Sequence, residues 1–230
     1  MLRRIAYSDV VYKNKMKIII ALDGLDFDKA FSLFVLLAPH VDGFKVNHTL
    51  LENTSMFANY EGEVFVDCKI WDTPKSVSNI LEHILSKGAT MTTISTFNND
   101  DTFRTLHQYS EDIKLLGVTY LTSWSSQEQF EITRETPRNM WERHIQRIKH
   151  YNFYGMICSA DDIVDITSPI KKICPGISFR SVNSGQKRIT SPYTAKRLGA
   201  DYAIIGRSIT KADHPEETIK KIKKTIIMTE

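Results

Sequence analysis

From residue 16 onward, short apolar runs rich in β-formers alternate with stretches of helical period, and this alternation constrains the fold more than any other feature. KIIIAL (17–22) is followed by DFDKAFSLFVLLA (26–38), and DGFKV (42–46) by a helix over 48–59. EVFVDCK (63–69) leads into PKSVSNILEHILSKG (74–88), where Pro74 and Gly88 mark the two ends of a helix. TMTTIS (90–95) precedes DDTFRTLHQYS (100–110), and IKLLGVTYL (113–121) precedes a long polar helix over 127–150. FYGMIC (153–158) is paired with a short helix at 161–167, KKICPG (171–176) with SPYTAKRLG (191–199), and DYAIIG (201–206) with PEETIKKIKKTII (215–227). Eight such pairs without a composition break predict a parallel sheet with helical crossovers in a single domain. In a chain a little below the typical ~250 residues, eight βα units predict a closed (β/α)8 TIM barrel of the α/β class. An open doubly wound sheet would carry GxGxxG after its first strand, where ALDGLDFD stands instead. Residues 1–15 read as an N-terminal arm and 16–230 as the barrel.

Composition narrows the function. A net charge of +3 over 230 residues argues against a nucleic-acid binder, and KKIKK (220–224) reads as the solvated face of a helix. Cys68, Cys158 and Cys174 are widely spaced and odd in number, which fits reduced thiols in the cytoplasm. No apolar run reaches the ~20 residues of a membrane span. The first fifteen residues lack the continuous apolar core of a secretory leader. The seven histidines show no metal-ligand spacing.

In a barrel of this kind, polar residues at the C-terminal ends of strands belong to the site. Asp23, Lys45, Asp67 and Lys69 lie at such ends, as do Thr122, Ser123, Ser125, Pro175–Gly176 and Gly206–Arg207. Alternation along FVDCK turns Asp67 and Lys69 to the side of Phe65, with Val66 and Cys68 toward the helices. Asp72 follows at the entry to the next helix, giving a row of alternating sign: Lys45, Asp67, Lys69, Asp72. Burial pushes a lone lysine toward its neutral form, and flanking carboxylates oppose that, so Lys69 is expected to stay an ammonium. Backbone N–H groups at Gly206 and Arg207, with the Arg207 guanidinium, suit a phosphate.

DCKIWDTP has the form Asp-x-Lys-x-x-Asp-x-Pro and resembles the signature of the orotidine 5′-phosphate decarboxylases. ALD (21–23), FKV (44–46), CPGI (174–177), SGQKRIT (184–190) and GADYAIIGRSIT (199–210) follow in that family's order. The resemblance implies decarboxylation of orotidine 5′-monophosphate (OMP) to UMP without metal or organic cofactor, in a homodimer. It implies that Lys69 protonates C6 and that Asp67 sits against the departing carboxylate. Asp23 and Lys45 would bind ribose hydroxyls, and Asp72 would reach the partner's ribose. Gly206 and Arg207 would hold the phosphate, with Gln186 spanning from phosphate to base. Pro175 would pack near the base, and Ser125, with Ser123 and Ser126 beside it, would read the pyrimidine. Ser76 keeps the hydroxyl of the threonine common at its position.

The chain departs from the family pattern at Ser178, where many bacterial members have arginine, in TMTTISTFNN, and over 123–150. With these departures, the resemblance implies a divergent, bacterial-like member. Two other readings share part of the pattern. A sister decarboxylase acting on 3-keto-L-gulonate 6-phosphate with magnesium shares Asp-x-Lys-x-x-Asp, though Pro74 and SGQKR disfavour it. A catalytically silent phosphate-binding barrel would be expected to lose the Lys–Asp cluster, which is intact.

Overall fold

The computed structural model describes residues 15–166, 168–179 and 190–227. Eight parallel strands close in sequence order: β1 (Lys17–Ala21), β2 (Gly43–Val46), β3 (Glu63–Ile70), β4 (Met91–Ser95), β5 (Lys114–Val118), β6 (Gly155–Ile157), β7 (Lys171–Ile177) and β8 (Tyr202–Ile205). β8 pairs with β1 from Tyr202 opposite Lys17 to Ile205 opposite Ile20, which leaves no open edge. The fold is the (β/α)8 barrel that the alternation predicts.

Among the described residues the α-helices are α1 (Phe27–Leu37), α2 (Pro74–Ser86), α3 (Asp100–His107), α4 (Ser126–Thr133), α5 (Pro137–His150), α6 (Pro192–Leu198), α7 (Arg207–Thr210) and α8 (Pro215–Ile227). Their starts are written locally. Thr73, Thr136 and Ser191 each cap a helix through the side chain, and each is followed by proline at the first helical position. α8 buries Ile219, Ile222 and Ile226 and leaves Lys220, Lys221 and Lys224 exposed, the solvated basic face expected of KKIKK.

The long helix expected over 127–150 is two helices. Arg134 ends α4 in the left-handed conformation (φ 58°), and Pro137 lacks the N–H that a continuous helix would need. The helices expected near 48–59 and 161–167 are 3-10 turns, Leu51–Phe57 and Ala160–Asp165, too short for a stable α-helix.

Strand alternation separates two apolar layers. Ile19, Phe65, Met91, Leu116, Ile173 and Ile204 fill the barrel, whereas Ile18, Ile20, Val64 and Val66 pack against the helices. At the N-terminal end of the barrel, buried Glu63 takes hydrogen bonds from Lys17, Lys114 and Thr90. Burial pushes the Glu63 carboxyl up, but hydrogen bonds from Lys114 and Thr90 and the charges of Lys114 and Lys17 together outweigh it, and the net shift is downward. This cluster closes the base of the barrel. The functional groups gather at the other end.

Candidate active site

A cleft of about 670 Å³ opens at the C-terminal ends of the strands. Its floor is Val118, Ile157 and Ile204, and its charged wall is Asp23, Lys45, Asp67 and Lys69, delivered by β1, β2 and β3. Pro175, Gly176, Gly206, Arg207 and Lys211 form the opposite side, with Thr122 and Ser123 between.

The backbone is irregular where the charge is concentrated. Val66 pairs with Thr92 and Ile70 with Ile94, so four steps along β3 match two along β4. The bulge takes up Asp67, Cys68 and Lys69, and Lys69 stands at φ 48°, a conformation that non-glycine residues rarely adopt. Thr93 stabilises the bulge: its hydroxyl accepts the Lys69 N–H at 2.8 Å and donates to Asp67 Oδ1 at 2.7 Å. β7 has a similar bulge between Cys174 and Ile177, where Gly176 sits at φ 75° and the cleft wall turns inward. Ser178 N donates to Thr190 O at 3.0 Å and Thr190 N to Gly176 O at 3.1 Å, tying the two flanks of this segment together.

The charges form one connected row. Lys45 Nζ donates to Asp23 Oδ2 and, at 3.1 Å, to Asp67 Oδ2. Lys69 Nζ donates to Asp67 Oδ1 at 2.8 Å. The alternation therefore runs Asp23–Lys45–Asp67–Lys69, and Asp23 takes the end expected for Asp72. Asp72 lies beyond Lys69 in an adjoining pocket with Trp71 and His48. Its carboxylate accepts the Thr73 N–H at 2.6 Å, and it forms no ion pair among the described residues.

Lys45 is the buried lysine of this row, at 6% exposure, whereas the Lys69 side chain is 43% exposed. Carboxylates thus protect a buried ammonium at Lys45. Burial pulls its pKa down, but Asp67 and Asp23 together more than reverse the effect, and the net shift is upward. Asp67 shows the mirror image. Burial pushes its carboxyl up, Lys45 and Lys69 with hydrogen bonds from Lys69 and Thr93 pull it down, and it settles at about 2.

A family model described as "Orotidine 5'-phosphate decarboxylase / HUMPS family" matches residues 16–222. The chain belongs to this family. The orotidine 5'-phosphate decarboxylase of Ehrlichia chaffeensis is 31% identical over 218 residues, covering 89% of this chain and 94% of that protein. The one from Buchnera aphidicola subsp. Baizongia pistaciae is 26% identical over 231 residues, covering 94% and 98%. Among solved structures, orotidine 5'-phosphate decarboxylase from Lactobacillus acidophilus superposes with a TM-score of 0.72 at 24% identity, covering 92% of this chain and 99% of that one. The Pyrococcus horikoshii enzyme gives 0.73 at 22%, covering 91% and 99%. At these identities the structures speak for the shared barrel.

Of the residues singled out by the resemblance to orotidine 5′-phosphate decarboxylases, the cleft brings together Asp23, Lys45, Asp67, Lys69, Pro175, Gly206 and Arg207. Ser125 is not on the cleft wall. It caps α4 in a reciprocal pair with Glu128, and its hydroxyl donates to Glu128 Oε2 at 2.8 Å, while Thr122 and Ser123 face the cleft. Ser76 lies in the first turn of α2, bonded to the Thr73 hydroxyl and outside both pockets. Gln186 falls outside the described residues, as does the N-terminal arm up to residue 14.

Three residues of this family member were not anticipated: Thr93, Asn98 and Lys211. Thr93 was available from the alternation that placed Asp67, since Met91 points into the barrel and Thr93 is two positions on. Lys211 lines the cleft beside Arg207. Asp23, Lys45, Asp67 and Lys69 cancel one another, so Arg207 and Lys211 leave the described lining with a surplus of two positive charges at the β8 end.

Proposed function

We propose that the chain is an orotidine 5′-phosphate decarboxylase, converting OMP to UMP and CO2. The observation that carries this reading is the Asp23–Lys45–Asp67–Lys69 row on one wall of a cleft whose far end is lined by Arg207 and Lys211. A phosphate dianion suits that end, held by Arg207, Lys211 and the Gly206 backbone. Asp23 and Lys45 then meet the ribose hydroxyls, and the pyrimidine lies over Val118, Ile157 and Pro175, within reach of Ser123. Gln186 bridges phosphate and base.

In the chemical step the bond from C6 to the carboxylate carbon breaks, its electron pair stays on C6, and CO2 departs. Lys69 delivers a proton to C6, leaving UMP and a neutral amine that solvent reprotonates. Asp67, ionised at neutral pH, lies against the substrate carboxylate and holds the Lys69 ammonium in line. The contribution of the protein is charge fixed before the substrate arrives, in a site from which water is displaced.

The working unit in this reading is a homodimer in the cytoplasm, with Asp72 serving the partner's ribose and Ser76 beside it. Trp71, 72% exposed beside Asp72, suits a subunit contact. Among the described residues no helix is long and apolar enough to cross a membrane. The test is loss of orotate absorbance on adding OMP to protein in excess chelator, with 3-keto-L-gulonate 6-phosphate plus magnesium as the competing assay. Turnover of OMP in chelator is expected. No OMP turnover by folded protein, or turnover of the sugar phosphate alone, would contradict the reading.

A further inference from the structure

The backbone around Asp72 is held by side chains from a different βα unit. Asn98, 2% exposed and just past β4, accepts the Asp72 N–H at Oδ1 (3.1 Å). Its Nδ2 donates to Ile70 O and to Ser95 O, both at 2.9 Å. Thr102, in the first turn of α3, donates its hydroxyl to Asp72 O at 3.2 Å. Both peptide groups of Asp72 are thus fixed from the β4–α3 segment. A carboxamide alone suits the Asn98 position: one end meets an N–H and the other meets carbonyl oxygens. Aspartate there would face the carbonyls with a second acceptor, and leucine would offer nothing to either.

The segment that carries Asn98 is itself braced from α5. Arg147 donates to Thr96 O at 2.9 Å and to Asp100 Oδ1 at 2.7 Å, and its guanidinium lies 4.0 Å from the Phe103 ring centre. The Phe97 ring lies 5.1 Å from that of His144. The two stretches that depart from the family pattern, TMTTISTFNN and 123–150, thus meet behind Asp72.

We infer that Asn98 is a positioning residue for Asp72, setting the carboxylate that one chain presents to the other chain's substrate. The inference rests on the proposed activity and on the two-chain site. Asn98 and Asp72 belong to one chain, so loss of Asn98 harms the site of the partner and spares the site built around the same chain's own Lys69.

Hybrid dimers carrying distinguishable tags test this. Asn98→Ala homodimers are expected to lose about 10–100-fold in OMP turnover, as a displaced positioning group does. Paired with Lys69→Ala chains, the Asn98→Ala chain supplies a complete Lys69 centre and receives a correctly held Asp72. Activity should then return to within about twofold of a Lys69→Ala plus Asp72→Ala control dimer. A chain carrying both Asn98→Ala and Lys69→Ala, paired with Asp72→Ala, should stay low. A merely structural defect would travel with the Asn98→Ala chain and leave its hybrid with Lys69→Ala as weak as the homodimer. That result, or Asn98→Ala homodimers with full turnover, overturns the inference while the control dimer remains active. An inactive control dimer overturns the two-chain reading and the inference with it. Should Asn98→Ala fail to fold, Thr102→Val, which removes one hydrogen bond and little volume, is expected to show the same pattern with a smaller loss.

Discussion

At the scale of single residues, the chemistry of this site depends on a backbone conformation that alternation cannot reveal. The period-two rule correctly turned Asp67 and Lys69 to one side, yet it assumes a regular strand, and these residues sit in a bulge. The rule also could not tell which lysine is buried, because that depends on the neighbouring loops. Lys69 at φ 48° carries strain that glycine would not. Both Lys69→Gly and Lys69→Ala remove the ammonium, so comparing them isolates the strain. Lys69→Gly should be the more stable of the two by about 1 kcal/mol in denaturant unfolding, with neither turning over OMP. Equal stability would mean that the bulge relaxes at no cost.

At the scale of elements, β4 acts as a support for β3. Thr93 satisfies the Lys69 N–H and one Asp67 oxygen, and Thr92 donates to Val66 O at 2.9 Å. Thr93→Val keeps the shape and leaves that N–H unsatisfied, so a stability loss of about 1–3 kcal/mol is expected, together with reduced turnover. An unchanged unfolding midpoint would show that Thr93 is not needed by the bulge. Elements were readable in the sequence wherever a local signal set their limits, as at Thr73–Pro74 and Ser191–Pro192. The same Thr–Pro signal at 136–137 divides the polar region 127–150, but helix-forming composition on both sides hid it. The role of Asn98 was not readable, because its partners lie 26 and 28 residues away.

At the scale of the whole molecule, acid stability is lost in two successive windows, the upper from buried His144 and the lower from the buried carboxylates Glu63 and Asp67, both held below their ordinary values. His144 is 3% exposed, and burial, then Arg143 and Arg147, lower its pKa to about 4. Arg143 donates to His144 Nε2 at 3.2 Å, a contact that requires the neutral ring. The unfolded chain therefore binds this proton more readily, and stability present above about pH 6.5 is lost as pH falls toward 4. Asp67 follows, with stability present above its ordinary value of 3.8 and lost as pH falls through about 2. Its share is about 2 kcal/mol. Urea midpoints across this range should fall in two steps, and His144→Phe should remove only the upper one. A single step centred near pH 3 in both proteins would contradict the assignment. The closed barrel was legible from eight alternating units because that pattern has few other solutions. The charge surplus at the β8 end was not, since Lys211 reaches the cleft only once α7 has turned.

We propose that this barrel decarboxylates OMP and that Lys69 supplies the proton to C6. The most direct test is incubation of OMP in D2O with the native chain and with Lys69→Ala, reading released CO2 and the isotope at C6 of the product. The native chain is predicted to release CO2 and yield UMP deuterated at C6, and Lys69→Ala to yield neither. Absence of CO2 with the native chain, or continued formation of deuterated UMP by Lys69→Ala, would contradict the account.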